Sequence, residues 1–135
     1  MSLFKVFDVS GSAVSAQSQR LNVVSSNLAN AESVAGPDGQ PYKARQVLFQ
    51  TQMMDAEQTA AGVRVAGVVE DSAAPRRVLD PDHPLADAEG YVTMSNVNVV
   101  EEMVNMISAS RSYQTNIDVM NTAKNLLQKT LQMGS

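Results

Sequence analysis

Residues 99–132 read VVEEMVNMISASRSYQTNIDVMNTAKNLLQKTLQ. Met106, Tyr113, Met120 and Leu127 recur every seven residues, and Met103, Ser110, Ile117 and Leu131 fall between them. Spacings of three and four place such a set on one face of a helix. Both ends are marked. Asn98 and Glu101 have the spacing of a capping box, with Asn in place of Ser or Thr. Glu101 and Glu102 sit where the helix dipole favours anions, Lys124 and Lys129 where it favours cations, and Gly134 is a natural stop. The prediction is a helix over Val99–Gln132, roughly 50 Å long.

The N-terminus carries a matching stripe. Phe7, Val14, Leu21 and Leu28 repeat every seven residues, with Ser10, Gln17 and Val24 in the alternate positions. This second helix runs from Val6 to about Asn30 and ends before the breaker cluster Ala35-Gly36-Pro37-Asp38-Gly39-Gln40-Pro41. The predicted fold is mainly α, with the N- and C-terminal helices paired as an elongated, coiled-coil-like hairpin. The organisation expected is residues 1–35 and 96–135 as the two core helices, with 36–95 as a β-hairpin and turn-rich arm. All five prolines lie in that arm. Tyr42–Gln52 and Gly62–Glu70 read as strands, Met53–Ala61 as a loop, and Gly90–Met94 as a short extended piece. Ala74-Pro75-Arg76-Arg77 and Asp80-Pro81-Asp82-His83-Pro84 read as turns, the arginines as a solvated pair.

The faces opposite the stripes say more than the stripes do. From Val9 to Ala31 only Arg20 is charged; from Met103 to Ala123 only Arg111 and Asp118 are. Ser12, Ser15, Ser18, Gln19, Asn22 and Ser25 replace the Lys–Glu pairs of a solvated helix. Small uncharged groups allow close approach without the desolvation cost of a charge. Both helices are therefore expected to be contacted on more than one side, with Ser10 and Gln17 fixing register. The alternative is a helical hairpin with a Ser-rich solvent face.

Composition removes several functions. A net charge of −4 without a basic patch disfavours nucleic acid. The absence of cysteine removes disulfides, thiol catalysis and zinc fingers. Asp80, Asp82, His83 and Asp87 cluster, but their spacing fits no metal motif, and Asp-Pro and His-Pro are common turn formers. No nucleophile elbow or phosphate loop is present. The expectation is no enzyme, no cofactor, no metal and no transmembrane segment. The opening MSLFKVFDVSGSAVSAQ lacks the charged and apolar regions of a cleaved signal peptide.

Gln19-Arg20-Leu21-Asn22-Val23-Val24-Ser25-Ser26-Asn27-Leu28-Ala29-Asn30-Ala31 resembles the N-terminal motif of the bacterial flagellar rod and hook proteins. Tyr42-Lys43-Ala44-Arg45, the Asp80–Asp87 run, Gly90-Tyr91-Val92, Asn96–Ile107, Arg111-Ser112-Tyr113-Gln114 and Asn121-Thr122-Ala123-Lys124 extend the likeness over essentially the whole chain. Met53–Ala61 departs most from the family pattern. The resemblance implies a structural subunit of the flagellar basal body. Its place would be the proximal rod, which couples the membrane-embedded ring to the distal rod and hook. It further implies export through the flagellar type III apparatus without a cleaved signal peptide, and polymerisation in the periplasm through the terminal helices. The implied partners are copies of the chain and the rod proteins FlgB, FliE, FlgF and FlgG, with the membrane ring protein FliF as a further candidate. The residues expected to carry assembly are Val14, Gln17, Arg20, Leu21, Val24, Asn27, Leu28 and Asn30 on the first helix. On the second they are Met103, Met106, Tyr113, Ile117, Met120, Leu127 and Leu131. The alternatives are another rod component, or a helical adaptor or chaperone that binds a partner helix in a groove.

Overall fold

The computed structural model describes residues 3–57 and 60–134; residues 58 and 59, inside the predicted Met53–Ala61 loop, lie outside the described residues. Helix α1 spans Leu3–Ala29, starting three residues before the expected Val6, and helix α2 spans Val99–Met133. They are about 40 Å and 52 Å long at 1.5 Å per residue. They pack antiparallel. Asn27 near the end of α1 meets Glu102 near the start of α2, while the start of α1 (Leu3, Phe4, Phe7) lies against Ala123 and Leu127. Asn98 caps α2, its side chain accepting from Glu101 N at 3.2 Å. The last turn of α2 holds no basic residue, contrary to the expected dipole pattern, and Gly134 closes it in a right-handed conformation, φ −86°.

The seam between the helices is tighter than the apolar stripe predicts. On α2, Met106, Tyr113, Met120 and Leu127 are partly buried, as their spacing requires. The alternate positions hold the buried Glu102, Ala109 and Ala123 and the partly buried Asn116 and Ile117; Glu102 and Ala109 fall one residue before the expected Met103 and Ser110, and Ala123 falls eight before Leu131. Met103 and Leu131 are 53% and 66% exposed. Small alanines win these positions because they let the backbones close up; Ala16, Ala109 and Ala123 are buried, and Met120 Cε comes near Gly11.

The middle of the chain holds four strands rather than the expected two or three. β1 (Arg45–Met53) and β2 (Ala61–Glu70) form an antiparallel hairpin, with a bulge where Leu48 pairs Gly67 and Phe49 pairs Val65. β1 begins at Arg45 because Ala44 N is claimed by the Asn96 side chain. β3 (Arg76–Leu79) pairs antiparallel with β4 (Tyr91–Met94). Arg76 and Arg77 are therefore strand residues, not a turn. They bind Glu32 and Asp87, and the Arg77 guanidinium lies 4.7 Å from the centre of the Tyr91 ring.

The β1–β2 hairpin lies on α1. Val63 N donates to Ser12 Oγ at 3.1 Å, and Lys5 bridges to Asp55 at 2.7 Å near the hairpin tip. The hairpin thus covers Ser12, while Ser15 and Gln19 stay exposed along a groove beside β2. No helix among the described residues is long and apolar enough to cross a membrane.

Candidate assembly site

The Asn-Leu-Ala-Asn core of the N-terminal motif reaches the end of α1, and its first asparagine is fully buried. Asn27 Nδ2 donates to Arg45 O at 2.8 Å and to Glu102 Oε2 at 3.0 Å. Asn27 Oδ1 accepts from Arg45 N and from Tyr42 OH, both at 2.9 Å. A single amide therefore has both donors and both acceptor sites engaged, the full capacity of the group. Toward Arg45 it makes the two bonds a neighbouring strand would make, so it closes the edge of β1 at its first residue. Ser26 Oγ donates in turn to Tyr42 OH at 3.0 Å. Asn30 only closes the last turn of the helix, donating to Ser26 O at 2.9 Å.

A second asparagine secures the same junction from the other side. Asn96 Oδ1 accepts from Ala44 N at 2.7 Å, and its amide donates to Asp71 O and Ala73 O. Ser95 Oγ donates to Ala31 O at 2.8 Å. Around these bonds sits a small core of Ala31, Ala44 and Val97 with Tyr42 and Val99 packed on it. Together they lock both helices and the root of the hairpin into one unit. Among the described residues no buried side-chain nitrogen or oxygen lacks a partner.

The predicted residues divide into three groups. Val24 and Asn27 are buried, and Val14, Gln17, Arg20, Leu21, Leu28 and Asn30 are partly buried along α1. Met106, Tyr113, Ile117, Met120 and Leu127 are partly buried along α2. Met103 and Leu131 point away from α1. Residues that the sequence reading did not single out as site residues are Tyr42, Asn96 and Glu102, whose roles depend on partners far along the chain. Arg20 and Arg45 line a cavity of about 360 Å³ with Val24, Phe49, Glu101 and Glu102, at the junction of both helices and the hairpin.

Outside the seam, α2 carries exposed apolar side chains toward both of its ends. Val100, Met103, Val104 and Ile107 are 53–71% exposed over its first turns. Leu126, Leu131 and Met133 are exposed at its other end. The Asp80–Asp87 segment is a turn built from its own side chains. Leu85 N donates to His83 Nδ1, and Asp87 Oδ1 accepts from Glu89 N and Tyr91 N, both at 2.9 Å. The Tyr91 N–H first, then that of Glu89 and the Arg77 guanidinium, hold the Asp87 carboxyl below the usual carboxylate range. Among the described residues no group of three or more His, Asp or Glu side chains is placed to hold a metal.

The geometry presents a motif-bearing helix pair with apolar surface at its ends, and the comparisons with known proteins agree with it. Residues 7–37 match the family described as "Flagella basal body rod protein", and residues 88–133 match "Flagellar basal body rod FlgEFG protein C-terminal". The chain is 60% identical over 134 residues to the flagellar basal-body rod protein FlgC of Yersinia enterocolitica, covering 99% of each chain. It is 58% identical, over the same share of both chains, to that of Salmonella typhimurium. Against that of Buchnera aphidicola subsp. Schizaphis graminum it is 45% identical over 136 aligned positions and 99% of each chain. The chain therefore belongs to the FlgC family of flagellar basal-body rod proteins, structural components of the basal body that assemble with other rod components and are not enzymes.

Proposed function

We propose that this subunit polymerises through its terminal helices, residues 1–35 and 96–135, and that residues 36–95 form an arm projecting from the resulting tube. The observation that carries this reading is the uncovered apolar surface of α2: Val100, Met103, Val104 and Ile107 lie on the side of the helix that neither α1 nor the hairpin reaches. Four such side chains in two turns are stable in water only at a cost of about 1.5–3 kcal/mol each relative to burial, which a neighbouring subunit recovers. The seam residues Val14, Leu21, Val24, Leu28, Met106, Tyr113, Ile117, Met120 and Leu127 hold the pair together. Asn27, bonded to Glu102, fixes its register, Gln17 and Arg20 pair with each other along α1, Asn30 closes the end of that helix, and Met103 and Leu131 face neighbours. In the proximal rod those neighbours are further copies, FlgB, FliE, FlgF, FlgG and the ring protein FliF. The chain reaches this periplasmic site through the flagellar type III apparatus without losing a signal peptide; absent cysteines and small alanine seams suit a chain that travels unfolded.

Val104→Asp tests the reading. The substitution leaves the intramolecular seam untouched and puts a charge on the uncovered face. Cells carrying it are expected to make and export the chain yet lose swimming, with the variant missing from isolated basal bodies. Normal swimming and normal recovery in basal bodies would count against the helices as the polymerising surface.

A further inference from the structure

The β3–β4 arm stands clear of the rest of the molecule. Among the described residues neither strand lies against a helix or against the β1–β2 hairpin. The arm is tied to the body at its base, where Ala35 N donates to Thr93 O at 2.8 Å and Arg76 bridges to Glu32 at 3.2 Å. Its strands bury a single side chain, Val92. A two-stranded sheet is marginal in water without a surface to pack on. At the far end Leu79 and Leu85 are 60% and 43% exposed, close in sequence to Asp80 and Asp82. Among the described residues the carboxylates of Asp80 and Asp82 accept no hydrogen bond and meet no cation. The tip of the arm is apolar and acidic, and its own chain leaves it uncovered.

The cleft of about 360 Å³ between α1, β1 and the start of α2 is complementary to that tip. Its α1–β1 wall is apolar at Val23, Val47 and Phe49, the last 41% exposed, and basic at Arg20 and Arg45. The Arg20 guanidinium meets Gln17 Oε1 at 3.4 Å, and that of Arg45 lies 5.7 Å from the centre of the Tyr42 ring. Neither has a carboxylate partner among the described residues. The α2 wall differs: Glu102 is bonded to Asn27, and Glu101 is exposed. An acidic segment therefore fits the α1–β1 wall and is repelled by the other.

We infer that the tip of the β3–β4 arm, Leu79 to Leu85, docks on the α1–β1 wall of this cleft in a second copy of the chain. The leucines cover Val47 and Phe49, and Asp80 and Asp82 meet Arg20 and Arg45. The inference rests on the reading that copies of the subunit assemble side by side. The occupant is a second copy because both complementary surfaces belong to this chain, while one molecule keeps β3 and β4 out of contact with α1 and β1. Two tips face to face would oppose like carboxylates, and two clefts would oppose like guanidinium groups. The contact therefore runs from the arm of one copy to the cleft of the next, and it gives the short sheet the packing surface it lacks.

Asp80 and Asp82 can be reversed without disturbing the turn, because their carboxylates hold nothing within the molecule. Asp80→Lys combined with Asp82→Lys is expected to lower recovery of the exported chain in basal bodies, and swimming with it, roughly tenfold. Normal recovery and normal swimming would overturn the inference. A second measurement identifies what the tip touches. Leu79 is exposed enough to be replaced by the photo-reactive residue benzoylphenylalanine. Irradiated basal bodies carrying it are expected to yield a product of twice the subunit mass, in which the arm tip is joined to β1. A product joining tip to tip would overturn the inference in favour of a symmetric contact. Linkage to a different rod protein alone would overturn the choice of a second copy. Absence of any linkage in basal bodies that contain the substituted chain would overturn the docking itself. Each of these results leaves polymerisation through the helices, which Val104→Asp reads separately, untouched.

Discussion

Asn27 is the residue on which the molecule turns. Its side chain serves Tyr42, both backbone groups of Arg45, and Glu102, which lie 15, 18 and 75 positions away. Removing it leaves several buried polar groups without partners, each at a cost of about 1–3 kcal/mol, partly relieved by water entering from the adjacent cavity. Asn27→Ala is therefore expected to destabilise the junction by about 2–4 kcal/mol. In hydrogen exchange the Arg45 amide would exchange roughly a hundredfold faster, at 1.4 kcal/mol per tenfold. Asn27→Asp keeps the acceptors but loses both donors and sets a second carboxylate against Glu102, so its effect is expected to exceed that of alanine. Unchanged exchange in both variants would show that the amide is not structural. The sequence marked Asn27 through the motif it belongs to. It could not show the partners, because local spacing carries no information on contacts between distant segments; for the same reason Glu102 read as a helix-dipole residue and Asn96 only as the start of a run that carries the family likeness.

At the level of elements, the helices were legible because heptad spacing is a local signal, and half of the α2 seam followed it. The other half did not, since the buried alternate positions hold Glu102, Ala109 and Ala123, which no hydrophobic pattern selects. The bias toward apolar residues drew the expectation one residue along to Met103, and to Leu131 beyond the covered part of the helix. The β3–β4 arm was missed as a sheet because its proline-marked turns dominate the reading, whereas its strands are only four residues each and bury a single side chain, Val92. Such a short ladder depends on its turn. Asp87 receives the Tyr91 and Glu89 amides and the Arg77 guanidinium, and Gly90 supplies the positive φ of 87° that the turn needs. Because the folded carboxyl titrates below its unfolded value near 3.9, its contribution is present above that value and is lost as pH falls through the lower, folded one. Amide signals of Glu89 and Tyr91 are expected to shift cooperatively below about pH 4. Asp87→Asn should loosen the arm at neutral pH and remove that acid transition; an arm whose acid response survives the substitution would place the titrating group elsewhere.

Across the whole molecule, charge and burial are divided in the same way. Positions 36–95 hold nine acidic and five basic residues and so carry the entire net charge of −4, while the two terminal segments balance at five of each sign. The helical pair is thus a neutral body with alanine at its seam, and among the described residues the chain buries no apolar side chain larger than Val24, Val92 and Val97. Its stability is graded along its length. The junction end is fastened by Asn27, Asn96, Ser95 and the Ala31–Ala44–Val97 core, whereas toward the far end α2 passes beyond α1 altogether. Isolated helices gain little from propensity alone, and Ser- and Asn-rich segments gain least. The subunit is therefore expected to be incompletely helical as a dilute monomer. Circular dichroism should report less helix than the 27 and 35 residues of α1 and α2, with protection from hydrogen exchange strongest near Asn27 and Glu102 and weakest at Leu3–Phe7 and Leu126–Met133. Sulfate, which strengthens apolar burial, should raise the helical signal and promote association together, because both draw on the same uncovered faces. A monomer with its full complement of helix and one sharp unfolding transition would mean that the helix pair is finished before assembly. The uncovered apolar surface of α2 would then be a docking face on a rigid body, not the part of the fold that neighbouring subunits complete.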